Sequence, residues 1–275
     1  MKFPDKIIVV DRFAPLRSHL QTLLAALDED DWVRPSAAPR WSVKDLAAHL
    51  LGGDVAILSG KRDGFYLPQK IESHDQLVEL VDRLNAEWVL ATFRISPRLL
   101  CELLAFTGPQ VEACFASFDP MVMNGAVSWA GPNPAPIWFD LAREFTERWH
   151  HQQQIRDATG RPPLYDPYFL SPVLDTFVRA LPFTFRNLMA PAGTSVRFEI
   201  SGDAGGIWFV HKTEDAWTLL LDVAAEPAAN VIIPQDVAWR LFTKGMDREK
   251  ARSLALIDGV ASLAAPIFAT TAIIG

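Results

Sequence analysis

Apolar positions recur every three to four residues through the first 160 residues, and every second residue in short runs further on. From Asp11, the residues Phe13, Leu16, Leu20, Leu23, Leu24 and Leu27 fall on helical spacing and predict a first helix. In APRWSVKDLAAHLLGGD, Ser42 with Asp45 three residues later has the form of a capping box and starts a second helix. Leu77, Leu80, Val81, Leu84 and Trp88 stripe a third, over residues 75–95. Ser96 followed by Pro97 pairs an N-cap with proline at the first helical position and predicts a fourth, running to about residue 118. Residues 121–138, rich in glycine and proline, read as a loop. The last helix of this half spans residues 138–158 and stops at Gly160.

A proline-rich connector, GRPPLYDPYFLSP, follows, and the pattern changes. A helix over residues 173–189 precedes four short segments rich in branched and aromatic residues: TSVRFEISG, GIWFVHK, AWTLLLDV and NVIIP, all read as strands. VAWRLFTKG and DREKARSLA read as helices and GVASLAAPIFATTAI as a terminal one. The expected fold class is therefore α followed by α/β in two domains. A helical bundle covers residues 1–162 and an α+β domain residues 170–275.

Composition narrows the function. Hydrophobic residues make up 49% and charged residues 21%, the balance of a globular chain with a core. The net charge of −7 and the lack of a basic run argue against nucleic acid and anionic membranes as partners. The apolar run at residues 7–10 is too short for a signal peptide, and no stretch approaches the roughly 20 apolar residues of a spanning helix. A cytoplasmic protein is expected. Cys101 and Cys114 lie too far apart along one predicted helix to pair, and read as buried apolar residues.

Six histidines are present. His19, His74 and His211 read as surface or capping residues. His49 sits inside the second helix beside Leu46 and Leu50, where its ring nitrogens need a carboxylate, a backbone group or a metal. In TERWHHQQQIRD, residues 146–157, Glu147 and His151 are four apart and share a helix face; His150 points about 100° away. Such a pair fits two ligands on one ion, and equally a solvated polar face. Two histidines and one carboxylate from two helices would leave coordination positions open, as a catalytic zinc site requires.

Taken together, RWSVKDLAAHLLGGD and, about a hundred residues later, REFTERWHHQQQIRDATGRP resemble the mycothiol-dependent maleylpyruvate isomerase family, which belongs to the DinB-like metal-binding four-helix bundles. Trp41, Ser42, Asp45, Leu46 and His49 match the first motif of that family; Glu147 and His151, followed by Ile155, Arg156 and Ala158, match the second. The second half resembles the family's sterol carrier-like C-terminal domain. The resemblance implies His49, Glu147 and His151 as ligands of a divalent metal, zinc by preference. It implies a low-molecular-weight thiol, mycothiol or an analogue, as cosubstrate. The implied activity is isomerisation or S-transfer on a small electrophile such as maleylpyruvate. An arginine of the second domain takes part in the family's catalysis, and Arg240 is the candidate, with a surface arginine or internal salt bridge as the alternative. The chain departs from the motif at Gln154, where the family carries aspartate. Residues 61–71 match nothing in the motif and are expected to shape a substrate pocket. A non-catalytic metal- or ligand-binding protein remains the competing reading, and a homodimer is left open.

Overall fold

A computed structural model describes residues 2–66 and 71–274. The chain forms two compact units that do not follow chain order. One comprises Val9–Met121 and Glu144–Leu164; the other comprises the segment ending at Ile8, Val122–Arg143 and Tyr165–Ile273.

The first unit is helical. A 3-10 turn, Val10–Arg12, leads into α1 (Phe13–Ala25), whose Phe13, Leu16, Leu20, Leu23 and Leu24 are all buried, as their spacing requires. The short α2 (Glu29–Val33) starts on Asp28, whose carboxylate accepts from the Asp31 amide. In α3 (Val43–Ile57) the capping box is complete: Ser42 accepts from the Asp45 amide, and the Asp45 side chain accepts from the Ser42 amide. The helix continues into a wide turn, Leu58–Arg62. Next comes α4 (His74–Ala91), capped by Ser73; among its described residues none is fully buried, so its apolar stripe is half-covered only. Ser96 and Pro97 begin α5 (Pro97–Ala116) as their order predicts. Val43, Leu46, Leu50, Leu100 and Leu104 belong to the core of this unit, together with Ile155 of the last helix of the half.

Contrary to the expectation from sequence, α5 is long and apolar enough to cross a membrane by length and composition. Its Leu100, Leu104, Val111 and Phe115 are buried within the unit. The expectation that residues 61–71 shape a pocket falls partly on residues 67–70, which lie outside the described residues. Cys101 and Cys114 are free thiols, half-buried and buried; burial pushes both up in pKa.

The helix α6 (Ile137–Ala158) belongs to both units, its first seven residues to one and the remainder to the other. Before it, the expected loop contains a small antiparallel hairpin, β1 (Met123–Ala126) with β2 (Pro134–Pro136), around a 3-10 turn. The connector holds another departure: α7 (Pro167–Val178) begins inside it. Asp166 caps the first turn, and Pro167 stands where a missing N–H is harmless. A short α8 (Leu181–Phe185) follows.

The strands β3 (Ser195–Ser201), β4 (Gly206–Lys212), β5 (Trp217–Leu220) and β6 (Ala229–Pro234) form where alternation predicted them. In β3, Val196, Phe198 and Ile200 face the core; in β6, Ala229, Val231 and Ile233 do. After α9 (Gln235–Phe242) and α10 (Arg248–Ser253) comes a strand the sequence reading missed, β7 (Leu256–Gly259). It is short and mostly exposed at a sheet edge, so it carries no alternation to read. The sheet order is β5-β4-β3-β6-β7, with β3 and β6 parallel and the other pairs antiparallel. The expected terminal helix shrinks to α11 (Ala261–Ala264) and a 3-10 turn at Ala265–Ala269, interrupted by Pro266. The fold class expected from sequence holds: a helical N-terminal region and a sheet-containing C-terminal region, mixed α and β.

Candidate metal centre

The motif around Trp41 has a local physical logic. Ser42 and Asp45 fix where α3 starts, Leu46 anchors it in the core with no exposed surface, and His49 follows on the next turn. The Trp41 ring lies against the His49 ring, centroids 4.9 Å apart. From α6, Glu147 and His151 meet this histidine. One carboxylate oxygen of Glu147, Oε1, lies 2.9 Å from His49 Nε2 and 2.9 Å from His151 Nε2. The two imidazole rings stand edge to face at 4.6 Å. One donor atom from each of the three residues falls within 4.8 Å of the others.

A zinc-type ion holds imidazole nitrogen and carboxylate oxygen at about 2.0–2.2 Å, which spaces tetrahedral donors about 3–3.5 Å apart. The observed separations bracket that spacing, so the donor set fits a divalent cation. Three protein donors leave a fourth position for an exogenous group. Both histidines present Nε2, and His151 is held to that choice by its other nitrogen. Nδ1 donates to the Gln154 side-chain oxygen at 2.9 Å. The amide at 154, which departs from the family motif, makes the hydrogen bond to His151 that a carboxylate there would make, without the negative charge. From the sequence, the orienting carboxylate is either missing at this position or replaced by the amide; the bond to His151, three residues before it, fits the second alternative.

The charges suit the same end. Burial pushes the Glu147 carboxyl up, but His151 and His49 together outweigh it and hold it well below the usual carboxylate range. Burial lowers His49; Glu147 only partly offsets this. His151 is also penalised by burial, yet its bonds to Glu147 and Gln154 raise it. His150 is turned away from the three donors, with its ring 4.5 Å from that of His151. Burial drives it down to about 3, so it is neutral.

The three glutamines answer whether this is a solvated face. It is not: His150, His151, Gln152, Gln153 and Gln154 are all buried. Gln152 donates to the Leu16 carbonyl at 3.3 Å, and the Gln153 side-chain oxygen accepts from the Leu164 amide at 3.0 Å. On the neighbouring face, Arg148 binds Asp54 at 3.0 Å and Glu144 at 2.8 Å. Thr107 donates to the same Asp54 at 2.7 Å.

Arg240, the other sequence-derived candidate, lies on α9 in the sheet-bearing unit. It pairs with Asp236 at 3.2 Å and stacks on the Trp239 ring at 4.3 Å. Tyr165 donates to that same carboxylate and accepts from Trp239 Nε1. The structure thus brings His49, Glu147 and His151 together and places Arg240 in a separate network.

Fold and site define a class: a two-unit α and β protein with a two-histidine, one-carboxylate cluster on its helical unit. Residues 13–156, which include all three donors, match the family described as mycothiol maleylpyruvate isomerase N-terminal domain, and the chain belongs to that family. Among solved structures, the mycothiol-dependent maleylpyruvate isomerase is similar with a TM-score of 0.51 at 12% identity, covering 84% of this chain and 86% of that one. A histidine-to-alanine mutant of that enzyme gives a TM-score of 0.52 at the same identity and coverage. No curated protein matches the chain in sequence.

Proposed function

We propose that the protein is a metal-dependent enzyme that activates a low-molecular-weight thiol, mycothiol or an analogue, for isomerisation or S-transfer on a small electrophile such as maleylpyruvate. The observation that carries this reading is the convergence of His49 Nε2, His151 Nε2 and a Glu147 oxygen within 4.8 Å, in a chain of this family. His49, Glu147 and His151 would hold a divalent ion, zinc by preference. When bound, such an ion supplies a Lewis-acid position at which a thiol is held as its thiolate, the nucleophilic form.

The chain's own groups set the terms of that step. Glu147 offsets one unit of the cation's charge and the two imidazoles none, so an anionic sulfur remains attracted. Gln154 fixes the His151 tautomer, and Trp41 covers the His49 ring. The thiol adds to an activated double bond of the electrophile. Rotation about the resulting single bond and departure of the thiol give the isomer; retention gives S-transfer. Arg240 is the candidate catalytic arginine of the second domain; its planar fork suits a carboxylate, and in the structure it is paired with Asp236. An Arg240→Gln variant with unchanged KM would remove it from the scheme.

Elemental analysis of the purified wild type and of His151→Ala tests the core of the proposal. About one divalent ion per chain, lost in the variant, supports it. No ion in either protein after incubation with zinc refutes it. An ion with no thiol-dependent turnover over a panel of electrophiles favours a non-catalytic binding protein.

A further inference from the structure

We propose that the helical unit carries a second ligand site, separate from the His49–Glu147–His151 cluster: a cavity that takes a compact apolar molecule bearing no negative charge. The cavity measures about 360 Å³ and lies within the helical unit, lined from α1, α3, α5 and α6. An apolar cavity of roughly 150 Å³ already accommodates benzene. Its walls include Leu16, Leu20, Leu50, Leu104 and Val111, each with less than a tenth of its surface exposed. Where these apolar walls face the space, water gains no hydrogen-bond partner, so an apolar guest seated against them displaces it favourably.

Sequence explains the rim. Gly108 on α5 has no side chain, and a Cβ there would lie 2.2 Å from Arg17 Cδ, so the Arg17 stem crosses directly over it. That crossing carries the guanidinium to Glu112, 2.5 Å away. Ala105, exposed one turn before Pro109, also borders the space.

Charge selects the guest. The cationic groups lining the cavity are Arg17, committed to Glu112, and Arg148, committed to Asp54 and Glu144. The remaining charged lining residue, Glu102, is itself acidic. A carboxylate entering here would meet no uncommitted cation and would lose its hydration without compensation. A neutral head meets no such penalty. The site is distinct from the metal centre because Arg148 and Gln152 line it, whereas Glu147 and His151, each one position earlier on α6, turn about 100° away.

The test uses the full chain, stripped of co-purifying lipid, and the neutral fluorophore N-phenyl-1-naphthylamine. Saturable enhancement at one site per chain is expected, displaced by decanol and at least tenfold less well by decanoate. Ala105→Trp fills the rim from an exposed position and should weaken probe binding at least tenfold with an unchanged circular dichroism spectrum, while His151→Ala leaves it within twofold. Independently of any variant, saturating decanol should slow maleimide alkylation of Cys101, which lines the cavity, at least fivefold. Absence of saturable binding, equal displacement by decanoate, wild-type affinity in Ala105→Trp, or an unprotected Cys101 would each overturn the proposal.

Discussion

Replacing Gln154 by alanine removes the acceptor of the His151 Nδ1 proton and touches none of the three donors. The bond it breaks is short, 2.9 Å, and both residues are buried, so no bulk water takes the vacated place at low cost. Two consequences follow. In the metal-free protein, an unsatisfied buried N–H costs about 1–3 kcal/mol. In the loaded protein, the imidazole loses the contact that fixes its tautomer and ring angle, and losses of this kind lower metal affinity about 10–100-fold. That factor corresponds to about 1.4–2.8 kcal/mol. Gln154→Glu restores an acceptor and adds a negative charge, so its affinity should equal or exceed that of the wild type. Competition against a chromogenic zinc chelator measures all three proteins, with circular dichroism confirming their folds. An affinity for Gln154→Ala within twofold of wild type, in a folded protein, would refute the view that the amide at 154 replaces the orienting carboxylate.

Adjacent glycines of α3 should respond in opposite ways to alanine. At Gly53 a Cβ meets nothing within 4 Å, and the helix-propensity gain of about 1 kcal/mol should raise the unfolding midpoint. At Gly52 it would lie 2.7 Å from the Trp88 ring, which is pinned by its bond to the Ala48 carbonyl at 2.7 Å; overpacking of about 1–3 kcal/mol should cancel or reverse the gain. Equal midpoints in urea would contradict this. Arg148→Met leaves Asp54 and Glu144 buried together and should cost about 3–5 kcal/mol. Because burial already raises the Asp54 carboxyl, part of that loss should return on mild acidification, which denaturation at pH 7 and pH 5 would reveal. His150 titrates at about 3 when folded, against 6.5 as its ordinary value. The unfolded chain therefore takes the proton first, and stability is lost as pH falls from about 6.5 towards 3. Between pH 7 and pH 5 the loss from this group alone is about 2 kcal/mol. His150→Gln should flatten that slope, and an unchanged slope would mean that the ring is charged in the native state.

What the sequence made legible follows from how local the cause was. Ser42 with Asp45, and Ser96 with Pro97, act within one turn, and both helices begin where those residues say. The strands from Ser195 to Pro234 alternate because one face of each is buried, so a period of two was visible. Leu256–Gly259 had no such cause: it is an exposed edge strand held by backbone pairing to β6, and pairing leaves no pattern in side chains. The start of α7 was misplaced because Pro167 and Pro172 read as connector, whereas the first sits at N1 and the second lies inside the helix, buried. In the site, Glu147 and His151 were visible by spacing, and His49 by its motif. The Asp54–Arg148 pair joins residues 94 apart, and no local rule connects them.

The helix α6 is where local and global preferences conflict most. By pattern its second half is too polar to be buried, yet nearly every residue from Glu144 to Ile155 is buried or half-buried. The conflict is resolved residue by residue around the helix axis. Glu147 and His151 turn to His49, Glu144 and Arg148 to Asp54, and Gln152 and Gln153 to backbone groups of α1 and the connector. A purely structural helix would reach the same burial with leucines and without the cost of removing so many polar groups from water. Chains keep such locally unfavourable choices where chemistry needs them. The Glu147 oxygen shared by two imidazoles is the least self-sufficient part of the arrangement, because two donors compete for one acceptor atom. A divalent cation relieves that competition by accepting from all three residues at once, so metal loading should stabilise this unit more than the sheet-bearing one. Hydrogen exchange with and without zinc separates the two, and equal protection of both units would show that the cluster gains nothing from the ion.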